Sequence, residues 1–157
     1  MDLKKWKPYI LWIALTEAVG FLAGLLTRAG SDAFSEYVRQ PPLSPPAWVF
    51  PVVWTLLYAL MGIGAARVWS APDSDERSQG LNWFVFQLIL NFFWPLIFFN
   101  AQAYAVAAIW IVILWIAVLM MILKFYPVDP LAAWLQVPYL LWLTFAAYLA
   151  FGVWFLN

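Results

Sequence analysis

The sequence predicts an all-α membrane protein, a bundle of five transmembrane helices, and three observations carry that prediction. Of 157 residues, 66% are hydrophobic and only 10% are charged, where a soluble domain carries roughly 25% charged residues. Five separate windows each hold the run of about 20 mostly apolar residues that a bilayer-crossing helix needs. Within those windows the apolar positions are continuous or helically spaced rather than alternating, which disfavours a membrane β-barrel.

The windows place helices over about 9–27, 47–69, 80–99, 103–124 and 131–155, within one membrane domain spanning 1–157. The apolar run after Lys7 is too long for a signal-peptide core, and no small-residue cleavage pattern ends it, so it reads as the first membrane helix. Residues 100–102 form a tight hairpin, 125–130 a short turn with Pro127 and Pro130, and 70–79 a polar connection holding Asp73, Asp75 and Glu76. Each sets its neighbouring helices antiparallel. The segment 28–46 is longer, and loops of this length often serve as lids or binding loops. It ends in Pro41-Pro42-Leu43-Ser44-Pro45-Pro46, four prolines in six residues, which stiffens it into an extended strap. A lid-like loop is favoured over a plain solvated connector.

Cations set the expected orientation. Lys4, Lys5, Lys7, Arg67, Arg77 and Lys124 fall on one side, and only Arg28 and Arg39 on the other. The cation-rich side faces the cytoplasm by the positive-inside rule, so the N-terminus is expected there, in a bacterial cell membrane. Eight Lys+Arg balance eight Asp+Glu; without clustered cations there is no footprint for nucleic acid. Cysteine and histidine are both absent. That removes disulfides, thiolate and imidazole metal sites, and every catalytic dyad or triad that needs His or Cys. No metal site and no cofactor is expected.

Tryptophan is the strongest compositional signal, with 12 copies. Trp6, Trp48, Trp69, Trp83, Trp134 and Trp154 lie near predicted helix ends, where aromatic belts sit. Trp54, Trp94, Trp110, Trp115 and Trp142 lie deeper, and a deep indole N–H seeks a partner. Three helices carry aromatic or polar stripes: Trp54, Tyr58 and Met61; Gln87, Asn91, Trp94 and Phe98; Trp142, Phe145, Ala146 and Leu149. Helical spacing puts each set on one surface. Facing inward, the stripes form flat apolar walls with a few polar groups, the composition of a small-molecule site. The same stripes also suit plain bundle core, and spacing does not separate the two.

Gln87 and Asn91 at mid-membrane need partners, from another helix or from a ligand. Pro95 cannot bond the Asn91 carbonyl, and Pro51 and Pro138 are expected to free the carbonyls of Ala47 and Trp134 in the same way. Glu17 is the lone carboxylate at the centre of a membrane helix; a hydrogen bond to groups such as Gln87 or Asn91 is the expected role. Gly20-Phe-Leu-Ala-Gly24 is a GxxxG motif that suits packing within the bundle or between protomers.

Three blocks then give the chain a resemblance to a known family. They are Pro41 to Tyr58 (PPLSPPAWVFPVVWTLLY) with Met61-Gly62, Asn91 to Phe99 (NFFWPLIFF), and Val137 to Leu149 (VPYLLWLTFAAYL). In this order they resemble the tryptophan-rich sensory protein and translocator protein family, the peripheral benzodiazepine receptors. The resemblance implies an interior pocket beneath the first long loop that takes porphyrins and other flat hydrophobic molecules. By motif, its ligand-binding positions are Trp54, Tyr58, Asn91, Trp94, Trp142 and Ala146. Some bacterial members are implied to degrade porphyrin in light, which would make Trp54 and Trp142 catalytic. The chain departs from the family at Leu43, where Trp is common, and at Phe34-Ser35, where an aromatic pair is common. No Lys or Arg follows Lys124, so the terminal cholesterol motif is incomplete. The third helix lacks the small residues used for dimers in some relatives, although a homodimer stays open.

The favoured function is a receptor-like membrane protein that binds porphyrin or another hydrophobic small molecule. Light-dependent porphyrin breakdown and transport of porphyrin or other hydrophobic solutes are the alternatives.

Overall fold

The computed structural model describes residues 2–157, and among them the regular structure is helical throughout. Helix α1 spans Leu3–Tyr37, α2 Val49–Trp69, α3 Asp75–Pro95, α4 Tyr104–Phe125, α5 Pro130–Trp134 and α6 Val137–Leu156. A single π-helical turn, Leu96–Asn100, continues α3. Five stretches are long and apolar enough to cross a membrane, with α3 plus the π turn and α5 plus α6 each counting as one.

The helix starts follow local chemistry. Asp2, Ser74 and Asp129 cap α1, α3 and α5 by accepting the backbone N–H of Lys4, Arg77 and Ala132 at 3.1, 3.1 and 3.0 Å. Asp75 and Glu76 in the first turn of α3 complement its dipole. Asp129 also pairs with Arg67 at 3.1 Å, tying α5 to the end of α2.

Several boundaries differ from the hydropathy reading. The first helix does not end at residue 27 but runs to Tyr37, so the expected 28–46 loop shrinks to the segment that begins at Val38. Hydropathy measures depth in the bilayer, and an α-helix continues into water if it packs. Here Phe34 packs on Phe98 and Phe99 with centroids 5.1 and 5.3 Å apart. Asn100 Nδ2 donates to the Leu26 carbonyl at 2.9 Å. Helix α3 likewise starts at Asp75, ahead of its apolar stretch. The last membrane segment breaks after Trp134, because Pro138 cannot donate there. Pro51 and Pro138 sit in first turns, where the missing N–H costs little. Pro95 does alter its helix. The ladder beyond it widens to the π turn, with Ala101 N bonding Leu96 O at 3.0 Å.

Helix α1 packs mainly on α2, α3 on α4, and α4 on α6, while α5 bridges α4 and α2. Buried alanines (Ala65, Ala66, Ala107, Ala108, Ala117, Ala146 and Ala150) let backbones approach. The opposite face of α4, with Ile109, Val112, Ile113 and Ile116, is exposed, as a lipid-facing surface should be. Between α2 and α6 the contact runs through aromatic rings: Trp54 with Tyr139 at 6.0 Å and Phe50 with Trp142 at 5.8 Å.

The two glycines of the GxxxG motif have different roles. A Cβ on Gly20 would run into the Tyr58 ring, whereas one on Gly24 meets nothing within 4 Å. The motif thus lets α2 approach α1 at Gly20 alone. Gly24→Ala is expected to hold or raise stability by about 0.5–1 kcal/mol through helix propensity. Gly20→Ala is expected to lower it by displacing Tyr58. Thermal unfolding of the two variants in detergent checks this, and equal midpoints would refute it.

Candidate functional site

Four buried polar side chains of the bundle form one connected chain across three helices. On α2, Tyr58 is 7% exposed, and its hydroxyl donates to Asn91 Oδ1 on α3. Asn91 Nδ2 donates to the Tyr139 hydroxyl on α6 at 2.7 Å, and that hydroxyl donates to Gln87 Oε1 at 2.8 Å. Helix α1 fixes the start of the chain, because Thr16 Oγ1 donates to the Tyr58 carbonyl at 2.7 Å and Gly20 leaves room for the Tyr58 ring. In a low-dielectric interior each of these groups needs its partner. The chain is thus first a tie between α2, α3 and α6.

Around it the aromatic residues divide by what their polar atoms do. Trp54 lies against Tyr58 and Tyr139, with centroids 5.6 and 6.0 Å apart. Trp142 meets Phe50 and Phe145 at 5.8 and 5.7 Å, and its buried indole N–H has no protein partner. The Gln87 amide nitrogen is also buried and unpartnered. Trp94 is different. Its N–H donates to the Ala107 carbonyl on α4 at 3.0 Å, and its ring stacks on Phe98 at 4.8 Å. Trp110 and Trp115 are satisfied in the same manner, by the Leu90 carbonyl and Thr144 Oγ1. Ala146 is 7% exposed on α6.

The six predicted positions are therefore not equivalent. Tyr58 and Asn91 are bonded directly, and Trp54 is stacked beside them. Trp142 and Ala146 lie on the α6 face that carries Tyr139. Trp94 is fastened to α4. The sequence reading passed over Tyr139, which is fully buried and joins two other members of the network. It lies three residues before Trp142 and seven before Ala146, so the stripe on α6 already contained it. Trp12 was also passed over; it packs on Trp69 and Phe84 at 5.9 and 5.5 Å. Glu17 departs from expectation. Gln87 and Asn91 are engaged with the two tyrosines, and a buried carboxylate oxygen of Glu17 has no partner.

Two cavities lie elsewhere, one of about 410 Å³ between α1 and the end of α2, and one of about 110 Å³ between α4 and the α5–α6 corner. None of the six residues lines either. Between α2 and α6 the aromatic rings pack on one another.

The segment after α1 is fastened to α6. Asn157 Nδ2 donates to the Arg39 carbonyl at 2.8 Å, and Asn157 Oδ1 accepts the Arg39 N–H at 3.1 Å. The Tyr148 hydroxyl donates to the Pro42 carbonyl at 2.7 Å. Pro41 is buried against Gly152, where a Cβ would fall 2.6 Å from the proline ring.

Comparison with known proteins leads to a single family. The sequence pattern of the TspO/MBR family matches residues 7–155. The chain is 37% identical over 148 residues to the tryptophan-rich protein TspO of Chlorobaculum tepidum, covering 94% of each. It is 38% identical over 146 residues to protein CrtK of Rhodobacter capsulatus, covering 89% of this chain and 91% of the relative. To the translocator protein of Bos taurus it is 30% identical over 151 residues, covering 95% and 89%.

Proposed function

This chain belongs to the TspO/MBR family of multi-pass membrane proteins, and we propose that it is a receptor-like protein that binds porphyrins and similar flat hydrophobic molecules between α2, α3 and α6. One observation carries the reading. Aromatic rings flank a buried polar chain, and two buried donors, Gln87 Nε2 within that chain and Trp142 Nε1 on the helix that carries Tyr139, lack a protein acceptor. Native interiors rarely leave such donors unmet, and a ligand oxygen or nitrogen of suitable geometry satisfies them. Trp54 and Trp142 then contribute stacking faces, Tyr58 and Asn91 the polar floor, and Ala146 the space beside them. Trp94 contributes a ring face only, since its N–H is already taken.

The test is a tryptophan-fluorescence titration with protoporphyrin, in the dark and in light, on the native chain and on Trp142→Phe. Saturable quenching that weakens about tenfold in the variant is expected, because a hydrogen bond and part of the stacking surface are lost. Metal-free protoporphyrin is expected to bind as well as haem or better, since no His or Cys is present to ligate iron. Haem binding that is far tighter and shows a ligated-iron spectrum would sink this reading.

A second reading, light-dependent porphyrin breakdown, is favoured by the contact of Trp54 with two tyrosine rings. In light the excited porphyrin would pass an electron to dioxygen, and the porphyrin radical cation would combine with the superoxide so formed, opening the ring with both oxygen atoms kept in the product. Trp54, braced by the two phenol rings, would hold the macrocycle for that step. Loss of the porphyrin band in light with the native chain, but not with Trp54→Phe or Trp142→Phe, would favour the enzyme over the receptor.

A further inference from the structure

We propose that the groove between the N-terminal turns of α1 and the end of α2 is a binding site for one anionic phospholipid of the surrounding leaflet. The groove encloses about 410 Å³ and is lined by Lys4, Lys7, Leu11, Trp12 and Leu15 of α1 and by Trp69 of α2. The α1 residues follow i, i+3, i+7, i+8, i+11 spacing, so they form one stripe along the helix. The order of chemistry along this stripe is that of a lipid. Two ammonium groups stand at the outer end, and an apolar floor with two indoles runs inward from them.

Length agrees as well. From Lys4 to Leu15 the helix rises about 16 Å, close to the roughly 15 Å half-thickness of a bilayer's hydrocarbon core. Leu11 and Leu15 are 58% and 47% exposed, so this floor is open to the lipid phase. Among the described residues neither lysine is in an ion pair, and no carboxylate lines the groove. The nearby Arg77 is already committed, to Asp73 at 3.0 Å and to the Trp69 carbonyl. Charge complementarity thus selects an anionic headgroup, with the phosphate between Lys4 and Lys7 and one acyl chain along Leu11, Trp12 and Leu15. This site is independent of the aromatic one between α2 and α6.

The purified chain is titrated in detergent with bromine-labelled phosphatidylglycerol and, separately, with bromine-labelled phosphatidylcholine, whose acyl-chain bromines quench nearby indoles. Phosphatidylglycerol is expected to quench at about 25-fold lower concentration, since each of the two basic side chains near an anionic headgroup contributes roughly a factor of five. In the double variant Lys4→Gln, Lys7→Gln the two lipids should become equivalent, with unfolding unchanged because both side chains are exposed. Leu11→Gln should weaken both lipids alike and keep the preference. Equal quenching by the two lipids in the native chain, or a preference that survives loss of both lysines, overturns the proposal. Competition by soluble glycerol phosphate as strong as by the lipid also overturns it, because the site would then be reading a free phosphate.

Discussion

Replacing Asn91 by leucine is expected to destabilise the folded bundle by about 2–4 kcal/mol. Asn91 hydrogen-bonds both buried tyrosines, accepting from Tyr58 and donating to Tyr139 at 2.7 Å. Leucine keeps most of the volume and removes both bonds. Tyr139 retains its bond to Gln87, but the Tyr58 hydroxyl is left without an acceptor in a nearly sealed site. An interhelical bond in a membrane contributes about 0.6–2 kcal/mol, and an orphaned buried donor costs about 1–3 more. Gln87→Leu removes one bond and leaves the buried Tyr139 hydroxyl without an acceptor, but it also removes an amide nitrogen that has no partner, so it should cost about 1–2 kcal/mol, less than Asn91→Leu. Denaturation of both variants in detergent decides the matter. If they lose equal stability, the chain is not organised around Asn91. If Asn91→Leu unfolds like the native protein, Tyr58 finds another acceptor and the network does not tie the helices.

The parts of this fold that were legible in the sequence are those governed by the bilayer. A membrane demands apolar length, so the five spans could be read from hydropathy alone. The ends of helices obey other forces. The continuation of α1 through Tyr37 rests on Phe34 meeting Phe98 and Phe99 of a distant segment, and no local pattern encodes that meeting. The sequence places Pro138 inside one continuous helix over 131–155 with the Trp134 carbonyl freed, whereas the chain breaks at Trp134 and starts a new helix. In the first turn the missing proline N–H costs little, and the choice between the two depends on where the helix starts.

The candidate site was legible to the extent that stripes are. Tyr58, Gln87 and Asn91 were picked by spacing, and they do converge. What spacing could not give is the direction of each polar atom. Trp94 shares a stripe with Asn91, yet its N–H is spent on Ala107, whereas that of Trp142 remains unmet. Tyr139 stands three residues before Trp142 on the same helical face, so its hydroxyl was within reach of the same spacing that marks the tryptophans. The latch between Asn157 and Arg39 joins residues 118 apart in the chain, a pairing that only the assembled bundle specifies.

That latch leads to the second large effect. The strap around Pro41-Pro42 is held by the two-way Asn157–Arg39 pair, by Tyr148 on the Pro42 carbonyl and by Pro41 seated on Gly152. Leu43 within it has φ 69°, a left-handed conformation that costs a branched side chain roughly 1–2 kcal/mol, so the strap is retained by its contacts and not by local preference. Asn157→Ala removes three hydrogen bonds, two to Arg39 and one to the Val153 carbonyl, together about 2–4 kcal/mol. Exchange of the Arg39 amide hydrogen should rise by about tenfold or more. Gly152→Val should have a larger effect, since it unseats Pro41. If the strap lies across the path of the proposed ligand, porphyrin association and dissociation should both accelerate in these variants while the dissociation constant changes little. Faster amide exchange with unaltered ligand rates would show that the strap is only a connector. The ligand would then enter sideways from the bilayer, where α2 and α6 meet through the rings of Trp54, Tyr139, Phe50 and Trp142.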